Sequence, residues 1–193
     1  MPKEDWKNNT VQNIFESKGL FPRDTIQTVL DVGCGLSLKS QYIDAQVRVG
    51  VDIYRPFLEK IGAECPYAVV NADAMDLDKL FLPHSFDLVL LLDIVEHLEK
   101  KESIKLLEMA EKIARIAVII ETPKGYIPQN IDIWEWGGHK YQTHRSGWEP
   151  EEFIKRGYKV IIRDYKMSDV KRHTKLEVDP EIEMIDAIKR LDI

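Results

Sequence analysis

A chain of 193 residues with 44% hydrophobic content has the length of one domain, and such a domain buries roughly 70% of the surface its unfolded chain exposes. Its 27 Lys+Arg against 33 Asp+Glu give a formal charge of -6, and no run of like charges stands out, which argues against a nucleic-acid groove with its need for a concentrated basic footprint. The two cysteines, Cys34 and Cys65, have neither metal-ligand spacing nor disulfide density and point to a reducing compartment. Met1 to Asp5 shows no basic segment leading into an apolar one. The apolar stretch from Leu88 to Val95, interrupted by Asp93, is far short of the roughly 20 residues that cross a bilayer. The expectation is a cytoplasmic protein with neither a membrane nor a nucleic acid as partner.

In chain order, residues 1–27 predict a helical segment, with a helix over about 7–18. From 28 to 165, short β-branched runs then alternate with amphipathic stretches. Strands are predicted at about 28–33, 47–53, 67–71, 86–92, 114–121 and 158–165. Helices fall at about 38–45, 55–62, 99–112 and 149–156. The link from Asp76 to Ser85 has room for only a turn or two. Val89 to Leu92 and Ala117 to Ile120 are continuous apolar runs, as suits central strands covered on both faces. The fold class is therefore α/β: a Rossmann-like, doubly wound, mostly parallel sheet with helices on both faces, in one domain over 1–193. The segment 122–148 breaks the alternation with two prolines, four glycines and three tryptophans, and reads as a long loop or small cap. Beyond 165, Asp179-Pro180-Glu181 suggests the start of a helix over 180–190, with a short strand in 170–178.

The residues that carry chemistry begin with Thr28-Val29-Leu30-Asp31-Val32-Gly33-Cys34-Gly35, an apolar strand running into a Gly-x-Gly turn. Glycines there let the backbone approach a ligand closely. Nineteen residues past Gly33, the strand Val49-Gly50-Val51 ends in Asp52, a carboxylate placed to meet a ribose diol. Asn71-Ala72-Asp73-Ala74-Met75 follows the third strand, where an acid beside a small residue can border an adenine ring. The fourth strand runs through Leu92-Asp93 into Ile94-Val95-Glu96-His97. In order and spacing these blocks resemble the class I S-adenosylmethionine-dependent methyltransferases, the type 11 group above all, over about residues 28–165. Thr122-Pro123-Lys124-Gly125 is similar to the Thr-Pro-Asn-Gly turn of many such enzymes.

The resemblance implies S-adenosylmethionine as cofactor. It would place Asp31, Gly33 and Gly35 around the methionine part, and Asp52, with Ile53 beside it, at the ribose. Asp73 and Ala74 would take the adenine, and Leu92 and Asp93 the cofactor's amino end and the acceptor. Ser37 departs from the pattern, standing where the family often has a third glycine. A nicotinamide-dependent oxidoreductase fits less well, since Gly-x-Gly-x-x-Gly would need glycine where Leu38 stands. A non-catalytic module that only binds the nucleoside stays open as an alternative.

On the acceptor side, His97, His139 and His144 are the catalytic candidates. His139 and His144 lie in the irregular segment with Trp134, Trp136, Tyr141, Arg145 and Trp148, a cluster that suits a pocket over a sulfonium ion and equally a cap held down by its tryptophans. No metal site is expected, because no His-x-x-x-His or carboxylate cluster gives a chelating face. No Asn-Pro-Pro-Tyr-like block follows the fourth strand, which turns the expectation away from amino groups of bases and amides of glutamine. A small molecule or glycan-like metabolite is the expected acceptor, with residues 122–148 as the acceptor-side cap.

Overall fold

In a computed structural model, which describes residues 21, 25–36, 43, 45–61, 68–130, 132, 137–166 and 181–191, the apolar runs form a seven-stranded sheet. Its strands are β1 (Thr28–Val32), β2 (Val47–Asp52), β3 (Ala68–Asn71), β4 (Phe86–Leu92), β5 (Ala114–Pro123), β6 (Lys159–Lys166) and β7 (Glu181–Arg190). They lie in the order β3-β2-β1-β4-β5-β7-β6. All pairs from β3 to β5 are parallel, and β7 is antiparallel to both β5 and β6.

Every residue of β4 is buried, as its uninterrupted Phe-Asp-Leu-Val-Leu-Leu-Leu requires of a strand covered on both faces. Alternate side chains divide between two cores. Val89 and Leu91 join Leu30, Val32, Val118 and Ile120 on one face, whereas Leu88, Leu90 and Leu92 join Val29, Ala117 and Ile119 on the other. The described helices are α1 (Arg55–Ile61), α2 (Leu77–Leu80), α3 (Lys100–Ile113), α4 (His139–Gln142) and α5 (Pro150–Lys155). α3 buries Leu106, Leu107, Ala110 and Ile113 on the first face, beside Leu77 of α2 and Phe153 of α5. Glu99 and Glu102 start α3 with a reciprocal capping box. The second face is covered by Phe21, Ile26 and Ile43. The helix predicted over 7–18, most of that over 38–45 and the strand predicted in 170–178 lie outside the described residues.

The one clear departure is at 180–190, where the expected helix is strand β7. Ile182, Ile185 and Ile188 recur every third residue behind a proline and an acid, a pattern that suits a helix locally. Wedged between β5 and β6, the segment instead buries Met184, Ile185, Asp186, Ala187 and Ile188 in succession. Only a central strand buries both of its faces this way, and that pairing overrides the local pattern.

Register sets the site. Val32 of β1 pairs with Val51 of β2 and with Leu91 of β4, Asp52 pairs with Asn71, and Leu92 with Glu121. The carboxyl ends of these strands are therefore level. The chain leaves β1 towards β2 on one side, while β4 lies on the other, a switch point that opens a crevice above β1 and β4.

Candidate functional site

A cavity of about 890 Å³ occupies that crevice. Its floor is the Gly33-Cys34-Gly35 turn. Gly33 and Gly35 both adopt left-handed backbone, with φ of 69° and 50°, and a Cβ on Gly33 would stand 2.7 Å from Ile94 Cδ1. The turn is tied down by the Gly33 and Cys34 N–H groups, which donate to the Val51 carbonyl at 2.8 and 3.1 Å. Asp52 then clasps both sides of the crevice. Its Oδ2 accepts from the Gly35 N–H at 2.9 Å and its Oδ1 from the Tyr54 N–H at 2.7 Å. Burial raises the Asp52 pKa, and these two amide bonds oppose the rise.

Beyond β3, Asn71 Nδ2 donates to the Asp52 and Ile53 carbonyls at 2.9 and 3.0 Å, fixing β2's exit. Asp73 caps the following 3-10 turn, Ala74–Asp76, by accepting the Met75 N–H at 2.9 Å. At the end of β4, Asp93 takes a left-handed φ of 52°, unusual for a residue with a side chain, while its N–H donates to the Glu121 carbonyl at 2.9 Å.

The opposite wall is built by a second 3-10 turn, Val95–His97, locked to the chain at 143–148. The Val95 carbonyl accepts from the Ser103 hydroxyl at 2.6 Å, the Ser146 hydroxyl at 3.1 Å and the Trp148 indole at 3.4 Å. The Glu96 carbonyl accepts the N–H groups of Arg145 and Ser146, and Arg145 Nη1 donates to the His97 carbonyl at 2.6 Å. Trp148 is stacked on Phe153 with centroids 4.8 Å apart and covered by the Lys100 ammonium at 3.5 Å, so the tryptophan does anchor the segment.

This lock brings together side chains far apart in sequence. The His97 and His144 rings stand 4.9 Å apart, centroid to centroid, at 62°. His144 Nδ1 donates to the Ile127 carbonyl at 2.7 Å, and His97 Nδ1 lies 3.4 Å from the Thr143 carbonyl. Burial, the neighbouring His144 and Arg145 drive the His97 pKa from 6.5 down to about 4, with the Thr143 and Gln142 carbonyls opposing. Burial also lowers that of His144, against the Ile127 carbonyl and the negative charge of Asp93. Glu96, 3% exposed, accepts the Thr122 hydroxyl at 2.9 Å.

All nine residues expected at the cofactor, Asp31, Gly33, Gly35, Asp52, Ile53, Asp73, Ala74, Leu92 and Asp93, line this one cavity. His97 and His144 line it too. His139 does not: it is exposed at the start of α4. Ser37, Leu38, Trp134 and Trp136 lie outside the described residues. Sequence reasoning missed Tyr54, Phe57 and Glu96. Tyr54 packs edge-on against Phe57 at 4.9 Å and faces Tyr141 at 6.0 Å, and its ring lies so close beneath Gly137 and Gly138 that a Cβ on Gly138 would be 2.9 Å away. An aromatic two residues past the ribose-side acid was the available signal for Tyr54. For Glu96 it was the acid-imidazole dipeptide just past a strand end.

Residues 30–116 match the family described as "Methyltransferase domain". No curated protein matches the chain significantly. Among solved structures, the chain is similar to an S-adenosylmethionine-dependent methyltransferase from Archaeoglobus fulgidus: 21% identical, 86% of this chain and 87% of that one covered, TM-score 0.56. It is also similar to the magnesium protoporphyrin IX methyltransferase of Synechocystis with bound S-adenosylmethionine (13% identity, 94% and 77% covered, TM-score 0.55). A third is the N-methyltransferase NodS of Bradyrhizobium japonicum in complex with S-adenosylhomocysteine (11%, 86% and 78%, TM-score 0.57). The chain shares its matched segment, its strand order and the crevice over β1 and β4 with the class I S-adenosylmethionine-dependent methyltransferases. It is a methyl-transferring enzyme, and S-adenosylmethionine is its cofactor. The residues fit that group: the floor is bare of side chains at two glycines, the buried carboxylate of Asp52 lines the cavity, and the volume falls in the range of small-molecule sites. No described helix is long and apolar enough to cross a membrane.

Proposed function

We propose that this methyltransferase acts on a small molecule or glycan-like metabolite in the cytoplasm, with no nucleic-acid partner and as a single domain. The observation that carries the reading is the convergence of the nine expected cofactor residues with His97 and His144 in one cavity, cofactor side against acceptor side. Bound S-adenosylmethionine supplies an electrophilic methyl group. The protein's part is to hold the nucleophile in line with it and to keep bulk water out.

Asp31, Gly33 and Gly35 take the methionine part and Asp52 the ribose hydroxyls, with Ile53 alongside. Asp73 and Ala74 take the adenine, and Leu92 and Asp93 border the reacting end. Pro123 at the end of β5, with Ile127, Gln129, Tyr141 and Gln142 from the segment between β5 and α5, forms the acceptor-side wall. Held neutral at neutral pH, His97 can accept a hydrogen bond from an acceptor hydroxyl or amine and so orient it. His144 orients the same face. His139 takes no part. The net charge of -6 and the apolar wall favour a neutral or cationic metabolite over a polyanion.

Calorimetry with S-adenosylmethionine and S-adenosylhomocysteine tests the first half, with micromolar binding expected of both. Silence from both at millimolar concentration, alongside stabilisation by NAD, overturns it. Release of S-adenosylhomocysteine from fractionated metabolite pools, compared with nucleic acid, tests the acceptor class.

A further inference from the structure

Beyond these roles, the acceptor wall carries a set of donors that methyl transfer alone does not require. Glu96, His97 and His144 each offer one ligand atom, and these atoms all lie within 4.8 Å of one another. Two ligands at about 2.0–2.2 Å on a tetrahedral cation stand about 3.4 Å apart, so closing the set takes side-chain movements of at most about 1.4 Å.

The set is also built rather than accidental. His144 Nδ1 donates to the Ile127 carbonyl at 2.7 Å, which leaves the lone pair of the neutral ring on Nε2. His97 Nδ1 faces the Thr143 carbonyl at 3.4 Å in the same sense. Backbone carbonyls that hold the far nitrogen of an imidazole are the usual second layer of a metal site, because they fix both the tautomer and the aim of the ring. The third donor, Glu96, is held by the Thr122 hydroxyl at 2.9 Å. The backbone lock between Val95–His97 and 143–148 keeps all three in place, and all three line the cavity.

We propose that Glu96, His97 and His144 bind one divalent transition-metal cation at the acceptor end of the cavity, and that the acceptor is a hydroxyl coordinated to it. Two imidazoles and one carboxylate suit zinc, cobalt, manganese or iron(II) better than magnesium or calcium, which prefer all-oxygen shells. Three protein ligands leave coordination positions open for a substrate oxygen. A hydroxyl bound there loses its proton to solvent more readily, and His97, its Nε2 taken by the cation, then serves as a ligand in place of contacting the acceptor itself. The oxygen then forms the O–C bond as the C–S bond of the sulfonium breaks, and the electron pair of that bond stays on sulfur, leaving a methyl ether and a neutral thioether. The acceptor half of this inference rests on the methyltransferase reading, whereas the cation site does not.

The test is a titration of chelator-treated full-length protein with cobalt(II), read by its visible ligand-field absorption, and with zinc(II), read by calorimetry. The expected result is one cation per chain, with affinity at least tenfold weaker in each of His144→Ala and Glu96→Gln. The second variant keeps the shape and can still accept the Thr122 hydroxyl, and circular dichroism of both checks the fold. Absence of binding at millimolar metal, or cobalt affinity undiminished in both variants, overturns the site. S-adenosylhomocysteine binding by the same preparations is measured in parallel. Cofactor binding without metal binding sinks the cation site alone, and metal binding without cofactor binding sinks the methyltransferase reading alone. If a hydroxylated acceptor is methylated equally well with and without chelator, the acceptor half fails.

Discussion

Asp52 carries two tasks with one carboxylate, holding Gly35 and Tyr54 by their amides and facing the ribose side of the cavity. Asp52→Asn keeps the size but removes the charge and one of the two amide acceptors, and is expected to weaken S-adenosylhomocysteine binding by about 1.5–3 kcal/mol, the worth of a charged hydrogen bond. Calorimetry on the folded variant measures it, and an unchanged dissociation constant would make Asp52 only the clasp of the turn. His97 supplies a pH dependence with a definite sign. Folded, it titrates at about 4, and unfolded near 6.5, so between these values only the unfolded chain takes up the proton. The stability it contributes is full above pH 6.5 and is lost as the pH falls towards 4, up to about 3 kcal/mol in all at ~1.4 kcal/mol per pKa unit. Urea unfolding of metal-free protein between pH 7 and 4.5 should show that decline in the wild type and a flatter profile in His97→Gln. Equal slopes would mean that the ring is open to solvent.

Among the elements, β5, β6 and β7 are joined by one half-buried cation. Arg163 of β6 donates through Nε to Asp186 of β7 at 2.6 Å and through Nη2 to Glu121 of β5 at 2.8 Å, with both acids 2% exposed or less. Arg163→Met strands two buried carboxylates and should cost about 3–5 kcal/mol in chemical denaturation. Adding Glu121→Gln and Asp186→Asn to it should restore part of that loss, and failure to restore any would show that the arginine acts by packing. These residues also show where the sequence was legible. β1, β4 and β5 declare themselves through apolar runs because strands buried on both faces leave little room for anything else, and β2 and the exposed β3 through short valine-rich runs that lead into Asp52 and Asp73. β7 does not, because its buried Asp186 is intelligible only beside Arg163, and its isoleucines at 182, 185 and 188 repeat at a helical interval. The cofactor half of the site was legible for a similar reason, since each of its residues sits within three places of a strand's carboxyl end. The acceptor half was not, since Glu96 and His97 meet His144 only through hydrogen bonds that cross some 46 residues of chain. Gly138, left-handed at 78° with the Tyr54 ring beneath it, is a close joint between the two halves. Gly138→Ala should therefore lift α4 from Tyr54 and weaken acceptor binding, read as a raised KM with kcat little changed.

At the scale of the whole molecule, the cavity is walled by segments from β1 through to the chain before α5 and by Ile182 and Met184 of β7, so a ligand that fills it binds only the folded state. At one hundred times its dissociation constant such a ligand adds about 2.7 kcal/mol, which for a protein of this size raises Tm by about 5–10 °C. A melting curve with saturating S-adenosylhomocysteine should show this shift, NAD should not, and the reverse order would overturn the cofactor. The sheet order carries a further consequence, for the time course of folding. β6 precedes β7 in the chain yet lies outside it, so among the described strands β6 has no neighbour to pair with until β7 has slotted in against β5. Closing that slot spans some 60 residues and comes late on loop-entropy grounds, since nearby strands find each other first. On a ribosome, β1 to β5 can zip in parallel as they emerge, while β6 waits as an exposed edge. Its amides should gain protection from hydrogen exchange in the same step as those of β7, and later than those of β4.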